Sequence, residues 1–547
     1  MKCRVSAVQF GVGTDVAENL KTCLRMIDEA AKISPNFIVL PEFSNHCAIY
    51  ESQEYADNVA LDLDGDFLQT IADKALEHNT YIKINVTLKN PKDKPTVSNL
   101  LYSPKGKLVG RADKQVLMGN ENVNCSRAKT SGDIVETEFG KVGMYCCADG
   151  LLMETTRLLA IRGAKLLLNS LNSFAEDEAS LHIPVRAAEN KVFVVASCKV
   201  DYLVPKEILT VFAEKMKIKP EALQGAGESQ IVAPDGTVLA KAKRTGEDVV
   251  FADIDLTQAK PEIALQNRRP EIYKAIADEP KERNYQTGCS VMAVAAFQID
   301  DIDENFQDKV FEAISEACKN RCGLIVLPEL FGNNLNIQQI SDELKNYNLD
   351  RFVVTSMREN DAHVGVLISK GGIVFRQKQI HKSNQHKWIT DLGNNLETIQ
   401  LPFGRLAIIV GEDSLYPETF RLAAYQNAEV VAVPFNVQER WETEFGLLER
   451  SVENRISIVA ATQPNKNLGK YGNSLITTIS KDFTLWTEWN NRPFDGNINY
   501  PIVTRASEFY SFPHAEICPA NSENRYVSKG TDVVDGRAFW LLKPLTE

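Results

Sequence analysis

The chain repeats itself, and that limits the folds open to it. Near the start "RVSAVQF" precedes "FIVLPEF"; near the middle "VMAVAAFQI" precedes "LIVLPEL". Each pair flanks a helical pattern, "NLKTCLRMIDEAAK" in one half and "FQDKVFEAISEACK" in the other. Later "PVRAAENKVFVVAS" is echoed by "LERSVENRISIVAAT". Lys378, Arg450 and Glu453 each stand 264 residues beyond Lys114, Arg186 and Glu189, while Glu329 stands 287 beyond Glu42. A constant offset at three separated anchors marks a tandem duplication. The second copy has lost 23 residues between its first two anchors. A chain of 547 residues exceeds what one core usually serves, so two domains are expected, 1–275 and 285–547. The boundary falls in a polar stretch with Pro and Gly near 270–288.

Within each copy, short apolar runs such as "FIVL", "VGMYCC" and "KVFVVASC" alternate with helical patterns. Runs apolar throughout suit strands buried on both faces, so the fold class is α/β and layered. Residues 201–227 read as a helical insertion with no counterpart in the second copy, bordering the entrance of a site or packing an interface. A net charge of -12, with both signs mixed along the chain, excludes a nucleic-acid footprint. No apolar run approaches a membrane span, and the N-terminus lacks the apolar core of a signal peptide. Eleven cysteines without a disulfide-like spacing fit a reducing cytoplasm. Cys318 and Cys322 lack the partners of a metal site, and helix-end packing is expected of them. No cofactor or metal is expected.

Glu42 follows one strand in "LPEF", Lys114 follows another in "DKQVL", and Cys147 ends a third in "GMYCCAD". Each alone is weak. Their order, together with Gly143, Asp149, Glu154, "RAAENKVFVVAS" and "SQIVAPDGTVLAKA", resembles the nitrilase, or carbon–nitrogen hydrolase, superfamily. That resemblance implies a Glu–Lys–Cys triad on an α-β-β-α sandwich. It therefore implies two tandem sandwich domains, packed as an internal pseudo-dimer, with further homo-oligomerisation left open. The family spacing selects Cys147 over Cys146, which strand alternation would turn into the core. It also implies that Glu121, lying between Lys and Cys, positions substrate.

The chemistry follows from what a thiol needs. Only the thiolate attacks, so Lys114 is expected to favour it and Glu42 to take its proton. Lys114 and the Ala148 N–H would hold the oxyanion. "CADGLLME" lacks the Arg that would hold a substrate carboxylate, and Ala148 leaves room for a larger acyl group. The expected activity is thiol amidohydrolysis of a small amide. A nitrilase or carbamoyl-amine hydrolase is the alternative within the family, and a non-catalytic binding scaffold the alternative outside it. "NSFAEDEASLH" offers Glu176, Asp177 and Glu178 either to a cationic amine or to the first turn of a helix.

In the second copy the offset puts Gly411 opposite Cys147 and Gln385 opposite Glu121. Without a thiol no acyl-enzyme forms. This copy is expected to be structural, with Glu329 and Lys378 surviving as a buried ion pair.

Overall fold

The computed structural model describes every residue except 284–285, 301–304, 482–493 and 508–509. Residues 284–285 of the expected boundary thus lie outside the described residues. The chain forms two compact units, each built on a pair of six-stranded sheets.

The strands of the first unit are β1 (Lys2–Gln9), β2 (Phe37–Val39), β3 (Tyr81–Leu88), β4 (Thr96–Tyr102), β5 (Leu108–Asp113), β6 (Val135–Thr137), β7 (Gly140–Cys146), β8 (Leu166–Leu171), β9 (Phe193–Cys198), β10 (Gln230–Val232), β11 (Val238–Lys241) and β12 (Asp248–Asp255). They order as β12-β1-β2-β3-β4-β5 and β11-β10-β9-β8-β7-β6. Val5, Ala7, Phe37 and Val39 of one sheet share a core with Val142, Met144, Leu166 and Val195 of the other. The period of two turns Val8, Ile38 and Ile82 to the opposite face, against the helices Val16–Ala31 and Asp66–Glu77. Leu159, Ile183 and Ala187, from the helices Met153–Ile161 and Ile183–Asn190, cover the outer face of the second sheet. The layers are therefore α-β-β-α. The first helix begins where the sequence permits: the Asp15 carboxylate accepts the N–H groups of Ala17 and Glu18, and Cys23, Met26, Ile27 and Ala30 fall on its buried stripe.

The second unit holds β13 (Met292–Ala296), β14 (Cys322–Val326), β15 (Phe352–Glu359), β16 (Ala362–Ser369), β17 (Gly372–Lys378), β18 (Thr398–Leu401), β19 (Gly404–Ile408), β20 (Val430–Pro434), β21 (Ser457–Ala461), β22 (Leu475–Thr478), β23 (Ile502–Arg505) and β24 (His514–Ile517). Its sheets, β24-β13-β14-β15-β16-β17 and β23-β22-β21-β20-β19-β18, repeat the two orders strand for strand. Cys318 and Cys322 are buried in one apolar cluster beside the helix Phe306–Lys319. No helix among the described residues is long and apolar enough to cross a membrane.

The contiguous division 1–275 and 285–547 gives way to a threaded one. The first unit runs from Met1 to Gln266 and also takes residues 494–499 and Tyr526–Leu545 from the far end of the chain. Hydrogen bonds draw this strap home. The Ser528 hydroxyl accepts the Gly119 N–H at 2.9 Å, and the Thr531 hydroxyl donates to the Leu117 carbonyl at 2.6 Å. The Asn122 amide donates to the Lys529 carbonyl at 3.2 Å and to Thr531 Oγ1 at 3.0 Å. Ala538 and Leu541 bury against Ala128, and the Arg127 guanidinium lies 4.7 Å from the Trp540 ring.

Thr531→Val should remove the shorter of two bonds to the Leu117 carbonyl, leaving the Asn122 amide (3.2 Å) as its donor, at a cost of about 0.5–1.5 kcal/mol. Urea unfolding checks the loss. An accompanying fall in kcat/KM is expected, because the loop held by Thr531 carries Glu121.

Candidate active site

Three strand ends deliver the expected triad. Glu42 follows β2, Lys114 follows β5, and Cys147 follows β7. The Lys114 ammonium lies 2.7 Å from Glu42 Oε1 and 2.8 Å from the Glu121 carboxylate, and all three side chains are buried. Glu121 also accepts the Met118 N–H at 2.9 Å. Glu42 Oε2 is buried with no hydrogen-bond partner in the protein.

The two cysteines part company, but not through the pleat. β7 ends at Cys146, whose side chain packs among Phe43, Val97, Leu117 and Cys125. Cys147 takes a left-handed backbone, φ +47, and opens the short 3-10 turn Cys147–Gly150. A non-glycine residue there is uncommon, and such strain of about 1–3 kcal/mol persists only where neighbours impose it. Here they do. Asn169 Oδ1 accepts the Cys147 N–H at 3.1 Å. The Asp149 carboxylate accepts the N–H groups of Gln115 and Val116, both at 2.9 Å, tying the thiol's turn to the segment after Lys114. The Arg186 guanidinium, paired with Glu189 at 2.8 Å, donates to the carbonyls of Gly150 (2.8 Å) and Leu151 (3.1 Å). The Ala148 N–H belongs to the first turn of this helix, where amide groups lack intrahelical acceptors.

Burial dominates the electrostatics. It pushes the Cys147 thiol well above its ordinary pKa, Glu42 adds to the rise, and Lys114 only partly opposes them. Lys114 thus pulls toward the thiolate, the direction expected of it, but burial and Glu42 outweigh it and keep the proton on sulfur at rest. Burial, aided by Glu42, pushes the Glu121 carboxyl up to about 7 against the pull of Lys114. For Lys114, burial works against the charge, and Glu121 and Glu42 outweigh it, so its pKa stands well above the ordinary value.

A cavity of about 130 Å³ opens at Cys147, and its lining lies wholly within the first unit. Cys147 and Glu121 reach it; the Ala148 side chain does not. Leu203, Val204, Phe212, Met216 and Leu223 of the insertion form one wall, so residues 201–227 border the site. The returning strap supplies Ile498, Asn499 and Val527. Asp177, read in the sequence as a cation receptor or a helix-end charge, stands at the N-terminus of the helical turn Glu178–His182, as the second reading expected, and is also a tether. Its buried carboxylate accepts the N–H groups of Ile498 (3.4 Å) and Asn499 (2.5 Å). Among the described residues, Asp28, Glu77 and His78 could converge on one ion, though Lys74 already pairs with Asp28 and Glu77.

Residues 4–261 match the family model described as carbon-nitrogen hydrolase. Through its first half, the chain belongs to the carbon–nitrogen hydrolase, or nitrilase, superfamily. It is an enzyme of C–N hydrolysis. A nitrilase of Pyrococcus abyssi is 27% identical over 240 residues, 44% of this chain and 84% of that one. An omega-amidase of Xenopus tropicalis is 26% identical over 284 residues, 49% of this chain and 95% of its own. Among solved structures, the C. elegans NitFhit protein is similar at 22% identity and a TM-score of 0.43, covering 53% of this chain and 70% of that one.

Set against this hydrolase unit, the second unit corrects two expectations. The Lys114 N–H donates to Val97, and its counterpart by the same bond is the Gln379 N–H donating to His363. Asp413 accepts the N–H groups of Ile380 and His381, as Asp149 accepts those of Gln115 and Val116. The register at this strand end is therefore 265, not 264. Gln379 stands where Lys114 stands, and His386, not Gln385, stands where Glu121 does. Lys378 points out to Asp391 at 2.7 Å and makes no pair with Glu329, which is held by His386 at 2.7 Å. His363 bridges Gln379 Oε1 and Ser356 Oγ, each at 2.7 Å, and fills the thiol's place: a Cβ on Gly411 would come 2.9 Å from Gln379 and 3.1 Å from His363.

Two buried amines escaped the sequence reading, hidden in the apolar runs "YIKINV" and "ASCKV". Burial pushes the Lys83 ammonium down to about 7, against Cys146, Glu42 and Asp149; it donates to the Ser170 hydroxyl. Burial pushes Lys199 down to about 8; its Nζ has no hydrogen-bond partner and lies 5.5 Å from the centre of the Phe43 ring. A lone Lys inside an otherwise apolar strand was the signal available.

Gly411→Cys in a Cys147→Ala background should release no product and should destabilise the protein by about 1–3 kcal/mol through overpacking. A product assay and a thermal melt together check this. Turnover by the double variant would show that the second unit's site can reopen.

Proposed function

We propose that the first unit is a thiol amidohydrolase that cleaves the C–N bond of a small amide through an acyl-enzyme on Cys147. The carrying observation is the buried Glu42–Lys114–Glu121 cluster beside a strained Cys147 at a closed cavity. Because the resting thiol is protonated, attack needs a base, and Glu42 has a free oxygen to serve. The Cys147 S–H proton passes to Glu42 as sulfur bonds the carbonyl carbon. The carbonyl oxygen takes the electron pair and is held by the Lys114 ammonium and the Ala148 N–H. Glu42 returns the proton to the leaving nitrogen, the C–N bond breaks, and ammonia or an amine departs. Water then attacks the thioester, giving its proton to Glu42; the C–S bond breaks, the thiol is reprotonated and the acid leaves. Glu121 keeps Lys114 charged throughout. The second unit, lacking the thiol and the lysine, supports without catalysing. The eleven cysteines, all free thiols, suit a reducing, cytoplasmic setting.

Ammonia release from a panel of short amides tests the reading. Cys147→Ala should abolish it, and Glu42→Gln should lower kcat by about 10²–10⁴-fold. Full activity in either variant would sink it. Iodoacetamide should label Cys147 and not Cys146, at a rate still climbing with pH above 9.

Glu121 sets the acid limb. As pH falls through about 7 its carboxyl gains a proton and its hold on Lys114 weakens, so kcat/KM should fall. Since the folded pKa is raised, the proton favours the fold. The Glu121 contribution to stability is largest below the ordinary carboxyl range and is lost as pH rises to about 7. Glu121→Gln should flatten both dependences, read in a pH–rate profile and in melts between pH 4 and 8.

A further inference from the structure

The polar chemistry of the cavity is one-sided. Its ionisable carboxylates are Glu121, Asp177 and Glu178, and among the described residues no Lys or Arg side chain lines it. The lining histidine, His182, lies 3.6 Å from Asp177 and is committed to that carboxylate. The Lys114 ammonium behind Glu121 is shared between two carboxylates. Lys199, the remaining buried amine nearby, is outside the lining. One lining group is unspent: Asn172 Oδ1 is buried with no hydrogen-bond partner. It can only accept. Asn120, Ser173 and Asn499 add uncharged polar groups, and the larger part of the wall is apolar, with Phe174, Leu203, Phe212, Met216, Ile498 and Val527 from three separate stretches of chain.

From this arrangement we propose that the site selects uncharged amides carrying an apolar chain and rejects amides that carry a carboxylate. The inference rests on the amidohydrolase reading and names its substrate class. A carboxylate entering this cavity exchanges its water for hydrocarbon, meets no lining Lys or Arg among the described residues, and approaches groups of its own sign. An apolar chain gains by the same burial. The substrate's amide N–H has Asn172 Oδ1 to donate to, so the pocket orients the end that reacts and grips the end that does not. A chain ending in an ammonium also fails to match, because Asp177 is already satisfied by two N–H groups, Glu121 by Lys114, and Glu178 is engaged within the protein.

Three chain-matched amides test this: hexanamide, adipamate (the same chain ending in a carboxylate) and 6-aminohexanamide (ending in an ammonium). Binding is measured calorimetrically on the full-length Cys147→Ala protein at pH 7, and ammonia release on the wild type. Hexanamide should bind at least tenfold tighter than adipamate, with a parallel gap in kcat/KM. It should also bind tighter than 6-aminohexanamide. Adipamate binding as well as hexanamide, or 6-aminohexanamide binding better, overturns the inference. Phe212→Arg, in the insertion and away from the reacting groups, should narrow the gap between hexanamide and adipamate to threefold or less; an unchanged gap places the selection elsewhere and counts against it. If the wild type hydrolyses none of the three while Cys147→Ala still ranks hexanamide first, the amidohydrolase reading falls and the charge selection stands. If none binds, both fall.

Discussion

A buried lysine ammonium held between two carboxylates is the interaction on which the first unit turns. Lys114 bonds Glu42 on one side and Glu121 on the other, and none of the three is more than marginally exposed. Such a cluster gains little net stability, because desolvation consumes most of the attraction. Its fragility is large: removing one member strands the others, at about 3–5 kcal/mol. Much of the surrounding architecture keeps the cluster assembled. Asp149 grips the two amide groups after Lys114, and Ser528 and Thr531 grip the loop that ends in Glu121. The same Asp149 accepts the Cys146 N–H at 3.4 Å, so the turn of Cys147 and the segment after Lys114 share one brace.

Legibility in the sequence followed the range over which each feature is encoded. "LPEF", "DKQVL" and "GMYCCAD" are local motifs ending strands, and the residues they nominate do converge. The layered fold was legible because doubly buried strands must be apolar throughout. The register of the second copy was not. A slip of one residue between strands reverses which face a side chain occupies. Lys378 therefore matches Lys114 in a residue count yet faces solvent, while Gln379 faces inward. The strap was not legible either. Its bonds run from Ser528, Thr531 and Asn122 largely to backbone groups, and backbone groups leave no mark on composition or periodicity. Lys83 and Lys199 were overlooked because an apolar run was read as apolar without exception.

The second unit has done more than lose a nucleophile. Gly411 is matched to a neighbourhood rebuilt around His363 and Gln379, which occupy the space a thiol would need. Burial keeps the His363 imidazole neutral, so it can donate from one nitrogen and accept from the other. Glu329, once freed of a lysine, has taken His386 and raised its pKa through that bond. Each replacement satisfies a polar group that the lost site would have left unpaired. That makes reversal a problem of several coordinated changes.

The returning strap alters what a truncated message can yield. About 260 residues separate Gln266 from Tyr526. At roughly 5–20 residues per second, the first unit waits on the order of tens of seconds on the ribosome before its last pieces are made. A premature stop anywhere in the second half deletes residues 526–545, and with them the hold on the loop of Glu121. The duplicated half cannot be cut away as one piece from Asn267 onward without taking part of the first unit with it. Its persistence needs no chemistry of its own, only its place between Gln266 and the strap Tyr526–Leu545.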